Sequence, residues 1–490
     1  MIEQLPALQI VVPLLTAPLC VILRRPRACW ALAMGATWFA FLAAWRLLAE
    51  VRAAGPISYQ LGGWPPPGGI EYRVDVLNAF VLLIVTGVSA LVLTACPRSL
   101  AKEVPEGRQY LFFAAYLLAM TGLLGMAITG DAFNVFVFLE ISSLSSYALI
   151  SMGRSRRALT SAFQYLVLGT LGGTFILLGI GLLYMVTGTL NMADLAAQPV
   201  GANRTVLVAL ACIGVGTSIK LAVFPLHIWL PNAYTFAPSV VTALLAATAT
   251  KVAYYVLVRF VFGIFGVELA FERMHLDAVL MPLAVTAMLV ASTVAILQTD
   301  LKRMLAYSSV AQVGYMVLGL SFASRSGLTG GIVHMFNHAL MKSALFLCIA
   351  CMVLQLGSSK LEDLRGVGRR MPWTSAAFVI SGLSLIGVPL TGGFVSKWFL
   401  VSAALEAHLW PVAVLILLSS LLAVVYVWRF VETAYLREAP KGAEWVGEAP
   451  MSLLLPTWLL ALGTIVFGIT TSLNVSVAGE AAAFLLGMAP

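Results

Sequence analysis

Charge is scarce in this sequence. Only 10% of the 490 residues are Asp, Glu, Lys or Arg, while 61% are hydrophobic and mean hydropathy is +0.97. Soluble domains carry roughly 25% charged residues, so a chain this long cannot cover a water-facing surface with so few. The scarcity excludes a cytosolic enzyme, a nucleic-acid reader and a disordered chain. Cysteine is scarce too. The six residues Cys20, Cys29, Cys96, Cys212, Cys348 and Cys351 are scattered and suggest no disulfide framework. Cys348 and Cys351 form a C-x-x-C inside the apolar run 345–354, which reads as two small buried thiols. There is no G-x-G-x-x-G after a strand and no cysteine cluster. No metal, flavin, nucleotide or iron–sulfur site is therefore expected, and any redox chemistry must come from partners. No basic residue precedes the first apolar run, so no signal peptide is expected.

What is abundant is long apolar runs. A spanning helix needs about 20 apolar residues, and about fourteen segments qualify. They are 6–23, 28–49, 74–95, 110–129, 131–150, 159–187, 205–224, 237–262, 277–297, 304–323, 328–355, 373–404, 410–435 and 451–472. The tail 475–490 is too short for a further span. The expected fold is an all-α polytopic membrane protein.

The net charge of +8 reflects basic loops on one side. Arg24, Arg25, Arg27, Arg98, Lys102, Arg108, Arg154, Arg156, Arg157, Lys302, Arg303, Lys360, Arg365, Arg369, Arg370, Arg429, Arg437 and Lys441 share that side, 18 of the 29 Lys and Arg. The opposite side receives six: Arg46, Arg52, Arg73, Arg204, Arg273 and Arg325. The positive-inside rule makes the first set cytoplasmic. Both termini then lie outside the cell inner membrane, consistent with an even number of helices.

Five basic residues fit no loop. Arg259 is near the outer end of its helix and can snorkel. Lys220, Lys251, Lys342 and Lys397 lie inside apolar runs. One central lysine costs roughly 2.5–3.5 kcal/mol on insertion scales, so four point to function. Glu140 is the matching acid, about halfway along its segment. His334, His338 and Lys342 recur at i, i+4 and i+8 and line one helix face. Asp131 reads as an N-cap. Glu406 and Glu432 sit near helix ends, where solvated roles suffice. The Phe-rich run 133–138 reads as packing rather than a quinone pocket.

Two segments are interrupted. One reads Lys220-Leu-Ala-Val-Phe-Pro225-Leu-His227-Ile-Trp-Leu-Pro231, the other Gly387-Val-Pro389-Leu-Thr-Gly392-Gly393-Phe-Val-Ser-Lys397. Proline removes a donor and breaks the ladder. Unwound backbone at membrane depth survives only when buried in protein or lining a hydrated cavity, and paired broken helices mark transport sites. His227, Pro225 and Pro389 are candidate gate residues. The breaks fall in the seventh and twelfth segments. A five-helix unit is odd, so a second copy must be inverted. The expected division is an N-terminal three-helix segment (1–107), a first repeat (108–263), a second inverted repeat (264–440) and a C-terminal helix and tail (441–490).

The chain resembles the antiporter-like subunits shared by Mrp-type cation/proton antiporters, complex I and membrane-bound hydrogenases. The resemblance rests on Gly130-Asp-Ala-Phe-Asn-Val-Phe-Val-Phe-Leu-Glu140, Ile219-Lys-Leu-Ala-Val-Phe-Pro-Leu-His-Ile-Trp-Leu-Pro231, Leu301-Lys-Arg-Met-Leu-Ala-Tyr-Ser-Ser309, His334-Met-Phe-Asn-His-Ala-Leu-Met-Lys342 and Gly393-Phe-Val-Ser-Lys-Trp398. It covers roughly residues 70–440, and helix number is most similar to the Mrp D-type subunit. Asn232 stands where the family pattern W-L-P-D-A has aspartate. The resemblance implies roles. Glu140 and Lys220 form an ion pair that sets the lysine's charge state. Lys251, His334, His338 and Lys342 relay protons. Lys397 is the terminal lysine, leading to an exit or to a neighbouring subunit. It implies other membrane subunits, the lipid bilayer, protons and Na⁺ or K⁺ as partners, no nucleic acid and no cofactor. The first functional expectation is thus a proton-translocating subunit of an Mrp-type antiporter. Alternatives are a proton-pumping subunit of a complex I-like or hydrogenase complex, and a stand-alone solute transporter. The last class needs a polar substrate cavity, which a basic chain spread over several helices does not suggest.

Overall fold

The fold is known from a computed structural model, which describes residues 2–198, 203–439 and 447–488. Lys441, counted with the cytoplasmic set, lies outside the described residues. The chain opens with α1 (Leu5–Leu23) and α2 (Pro26–Ala54), followed by a hairpin of β1 (Ile57–Gln60) and β2 (Glu71–Val74). Then come α3 (Val76–Glu103), α4 (Glu106–Ile128), α5 (Ala132–Ser151), α6 (Arg156–Thr187) and the short α7 (Met192–Ala197). Next are α8 (Arg204–Leu221), α9 (Trp229–Phe236), α10 (Ser239–Phe260), α11 (Leu276–Ile296), α12 (Leu301–Ser321) and α13 (Arg325–Leu356). The last elements are α14 (Val367–Arg370), α15 (Pro372–Ile386), α16 (Gly392–Glu406), α17 (Trp410–Val431), α18 (Met451–Ile469) and α19 (Ser472–Leu485).

Thirteen of these helices are long and apolar enough to cross a membrane. The segment 373–404 carries its expected break. It is α15 and α16 in series, 15 residues each, and together they make a fourteenth crossing. Likewise the seventh segment ends at Leu221 and resumes as α9, so both expected breaks are present. They are five crossings apart: α4, α5, α6, α8–α9 and α10 in one set, α11, α12, α13, α15–α16 and α17 in the next. The 57–74 hairpin has no counterpart among the expected elements. Its register, Ile57 opposite Val74 and Gln60 opposite Glu71, spans only four pairs.

Helices α3, α4, α10 and α12 are interior, with almost every side chain buried, while α1, α6, α11, α17 and α18 keep most of theirs outward. This explains why the interior helices show apolar residues all round and not an amphipathic stripe. Helices α6 and α8 touch backbone to backbone. A Cβ on Gly216 would lie 2.5 Å from the Gly172 carbonyl oxygen, so glycine sets this crossing.

Helix α3 grips α10 at both ends. Asp75 caps α3, accepting from the Asn78 N–H at 3.0 Å, and its other oxygen takes Arg259 Nη2 of α10 at 2.6 Å. Glu103, the last residue of α3, accepts from the backbone N–H of Ser239, the first residue of α10, at 2.9 Å. Arg259 therefore does not snorkel. It is tied to Asp75 and to the Tyr255 hydroxyl at 3.1 Å, because the α3 cap supplies a carboxylate at its depth. Lys302 is not a loop residue either. It is buried on the first turn of α12, where its Nζ donates to the Ala237 carbonyl at 3.1 Å.

Candidate functional site

The first break begins at Ala222, whose φ of +62° turns the chain out of α8. Trp229 Nε1 donates to the Ile219 carbonyl at 2.9 Å, satisfying one acceptor that the break frees. Lys220, in the last turn of α8, points across to α5. Its Nζ donates to Ser143 Oγ at 2.7 Å and to the Tyr147 hydroxyl at 3.4 Å. Glu140 lies on the same face of α5, three and seven residues earlier. It makes no ion pair with Lys220. Its Oε1 is buried without a hydrogen bond and rests against Gly173 of α6, where a Cβ would sit 2.4 Å away. The expected ion pair is thus corrected: Lys220 Nζ is held by the Ser143 and Tyr147 hydroxyls, and the Glu140 carboxylate lies one turn along α5, against Gly173. Gly169, one turn from Gly173, makes the same kind of room for Tyr147.

A cavity of about 30 Å³ opens beside Lys220, lined by Ser142, Ser143, Tyr165, Thr217 and Ala253 of α10. That is enough for a water, on the side facing α10. Lys251, midway along α10, is fully buried, and its Nζ donates to the Ala246 carbonyl at 2.5 Å and Thr250 Oγ at 3.2 Å.

His334, His338 and Lys342 lie on one face of α13 and all are fully buried. The two imidazoles stack, with centroids 5.8 Å apart. His334 Nδ1 meets Ser396 Oγ at 2.8 Å, while His334 Nε2 and both nitrogens of His338 have no partner. Lys342 Nζ donates to the Leu305 carbonyl at 2.9 Å and contacts Ser308 Oγ of α12.

The second break runs from Gly387 to Thr391, with φ of +90° at Gly387 and +72° at Leu390. Lys397 of α16 reaches back to the end of α15. Its Nζ donates to Ile386 O at 2.7 Å, Leu385 O at 3.1 Å and Ser420 Oγ of α17 at 2.9 Å, and it lies 4.7 Å from the Tyr315 ring centre. Asn337 Nδ2 donates to the Gly392 carbonyl at 2.7 Å, fastening the restart of the helix to α13.

The gate candidates are at the break surfaces. Pro225 and Pro389 are exposed, and His227 is partly buried, stacked on Phe224 at 5.2 Å and edge-on to Tyr307 at 6.4 Å. Asp131 caps α5 by accepting from Asn134 N at 2.7 Å. Glu406 is exposed, and Glu432 pairs with Arg437 at 2.8 Å. Asn232 donates to Gln164 at 2.9 Å.

Among the described residues none of the four lysines forms an ion pair, and no group of three His, Cys, Asp or Glu side chains comes together. Each ammonium is held by carbonyls and hydroxyls, neutral groups that accept its hydrogen bonds in either charge state of the neighbourhood. A buried cation held this way is costly, which argues against a purely structural placement. Sequence patterns alone do not single out Ser143, Tyr147, Ser308, Tyr315, Ser396 or Ser420. A signal exists for Ser143 and Tyr147, which follow Glu140 at helical spacing. Ser420 is reached only through tertiary contact.

Residues 129–423 match the family described as NADH:quinone oxidoreductase/Mrp antiporter, TM. The NADH-quinone oxidoreductase subunit N of Desulforudis audaxviator is 44% identical over 437 residues, 86% of each chain. The D subunit of the Na(+)/H(+) antiporter of Alkalihalophilus pseudofirmus is 31% identical over 424 residues, 86% of this chain and 85% of its own. Among solved structures, a chain of the Mrp complex from Dietzia sp. superposes with a TM-score of 0.90 at 27% identity, covering 99% of this chain and 97% of the other.

Proposed function

Since the chain belongs to the NADH:quinone oxidoreductase/Mrp antiporter family, we propose that it is a proton-translocating membrane subunit of a multi-subunit cation/proton antiporter. The observation that carries this reading is the row of buried basic groups, Lys220, Lys251, His338, His334, Lys342 and Lys397, distributed over α8, α10, α13 and α16. Protons enter the first half at Lys220, whose charge state is controlled by Glu140, one turn along α5 from the Ser143 hydroxyl that holds the lysine. They pass by water and Lys251 to the α13 face, and leave by Lys397. Bringing Glu140 toward Lys220 favours the ammonium, and withdrawing it favours release. His227, Pro225 and Pro389 border the two openings. The chain divides into a three-helix segment (1–107), two five-helix repeats (108–263 and 264–440) and a C-terminal part (441–490). Both termini face outward across the cell inner membrane.

The 44% identity to a subunit N favours a second reading, a proton-pumping subunit of a redox-driven complex. Affinity purification of the tagged chain from its native membrane, followed by proton-movement assays in vesicles, separates them. Co-purified small hydrophobic partners with Na⁺- or K⁺-driven proton movement support the antiporter. Co-purified flavin and iron–sulfur subunits with NADH-driven movement support the redox pump. A lone chain moving an organic solute overturns both.

A further inference from the structure

The proton relay leaves one group of buried polar side chains unused. It lies opposite the histidine face, on α12 and α17, and it touches both Lys342 and Lys397. Ser308, Gln312 and Tyr315 recur along α12 at i, i+4 and i+7 and so share one face. All three are buried. Ser308 Oγ contacts Lys342 Nζ. At the other end the Tyr315 hydroxyl lies 3.5 Å from Ser420 Oγ, and Ser420 Oγ accepts from Lys397 Nζ at 2.9 Å. Tyr426 of α17 fills the middle. It is fully buried, its hydroxyl faces Ser308, Gln312 and Tyr315, and it has no hydrogen-bond partner. Gln312 Oε1 is also buried and unpartnered. A buried phenol and a buried amide oxygen without partners are both unfavourable, and packing alone gives no reason to place two of them between two lysines.

The geometry points to a hydroxyl route from Lys342 to Lys397, through Ser308, Tyr426, Tyr315 and Ser420, running alongside the histidine face. The inference rests on the proton-translocation reading above. The histidine side is open at three ring nitrogens, and its two imidazoles stack without a hydrogen bond between them. The hydroxyl side is already bonded to a lysine at each end. A proton leaving the Lys342 ammonium is taken on a lone pair of Ser308, which releases its own proton to Tyr426. The same exchange repeats at Tyr315 and Ser420. Each hydroxyl finishes neutral and Lys342 goes from ammonium to amine, while Lys397, which must enter the step as an amine with its lone pair toward Ser420 Oγ, becomes the ammonium. Gln312 Oε1 can only accept, so it carries no proton.

The test uses the assembled complex in closed vesicles, with proton uptake read by a pH-sensitive dye and assembly read by the yield of intact complex. Tyr315→Phe and Tyr426→Phe remove one oxygen each. Both should assemble normally and lose transport about a hundredfold or more, in the range of a positioned proton-transfer group. The double variant should be no worse than the worse single, because links in series are not additive. Tyr315→Phe keeps the ring against Lys397. If it transports at the wild-type rate while Tyr315→Leu fails, the ring only holds the lysine and the route is overturned. If Tyr426→Phe does not assemble, Ser308→Ala cuts the same line one step earlier, and wild-type transport from it overturns the route. Lys397→Met is the reference. Its inactivity together with active Tyr→Phe variants rejects the hydroxyl route and leaves proton translocation standing. Full activity of Lys397→Met rejects both.

Discussion

Lys220 of α8 gives its shortest hydrogen bond to Ser143 of α5 at 2.7 Å, and Glu140, one turn away on α5, holds its carboxylate against Gly173. The pair is poised, not joined. Glu140→Ala and Lys220→Ala should each largely abolish ion-coupled transport while the subunit still inserts. Ser143→Ala should have a smaller effect, because a hydrogen bond to a charged group contributes roughly 1.5–3 kcal/mol. Dye-based transport in vesicles, normalised to subunit abundance, checks all three. Near-wild-type rates from either Ala variant at 140 or 220 count against the switch.

Gly173→Ala tests where the carboxylate rests. The new methyl would fall 2.4 Å from Glu140 Oε1 and force it out of its seat. Transport should drop by about tenfold, equivalent to about 1.4 kcal/mol, with assembly preserved. Gly181→Ala on the same helix, where a Cβ meets nothing within 4 Å, should behave as wild type. Equal rates for the two variants would show that the Gly173 contact has no bearing on transport.

Lys397 separates a titrating group from a fixed charge. Arginine keeps the charge but is not deprotonated in proteins. Lys397→Arg should therefore fail nearly as badly as Lys397→Ala in proton transport. If arginine restores transport in full, Lys397 is an electrostatic anchor to the Leu385 and Ile386 carbonyls.

Topology is tested by fusing a reporter that is active only in the cytoplasm to the C-terminus. With 18 of the 29 basic residues on the opposite side, the fusion should be inactive. An active fusion would reverse the proposed direction of every loop.

The Arg259–Asp75 pair tests the interior frame. Arg259→Met leaves Asp75 buried without its cation, at a cost of about 3–5 kcal/mol. Thermal unfolding in detergent should move down, and Asp75→Asn combined with Arg259→Met should recover part of the loss. An unchanged melting temperature for the single variant would show that the pair does not brace the helices.

Much of the fold is legible in the sequence because membranes make polar residues conspicuous. Four lysines in apolar runs and two proline-containing interruptions mark the candidate site and the breaks without any contact information. The contacts themselves are not legible. Lys220 and Glu140 are 80 positions apart, and nothing in spacing can say that the lysine bonds Ser143 instead of the carboxylate. Arg259 looks like a snorkelling residue because its partner, Asp75, reads locally as a helix cap. Pro389 and the Gly392-Gly393 pair mark the second break in the sequence, but not that Lys397 reaches back across it to the Leu385 and Ile386 carbonyls.

The grip of α3 on α10 has a mechanical consequence. One rod holds another at top and bottom, through Asp75 and Glu103, and the held rod carries Lys251 at its middle. Such a bar can neither slide nor roll without tearing a buried ion pair or an N-terminal cap. Lys251 is thus fixed relative to α3. In the proposed transport cycle the movable parts are the hinges after Lys220 and before Lys397, so that the two halves can work out of step about one shared, braced centre.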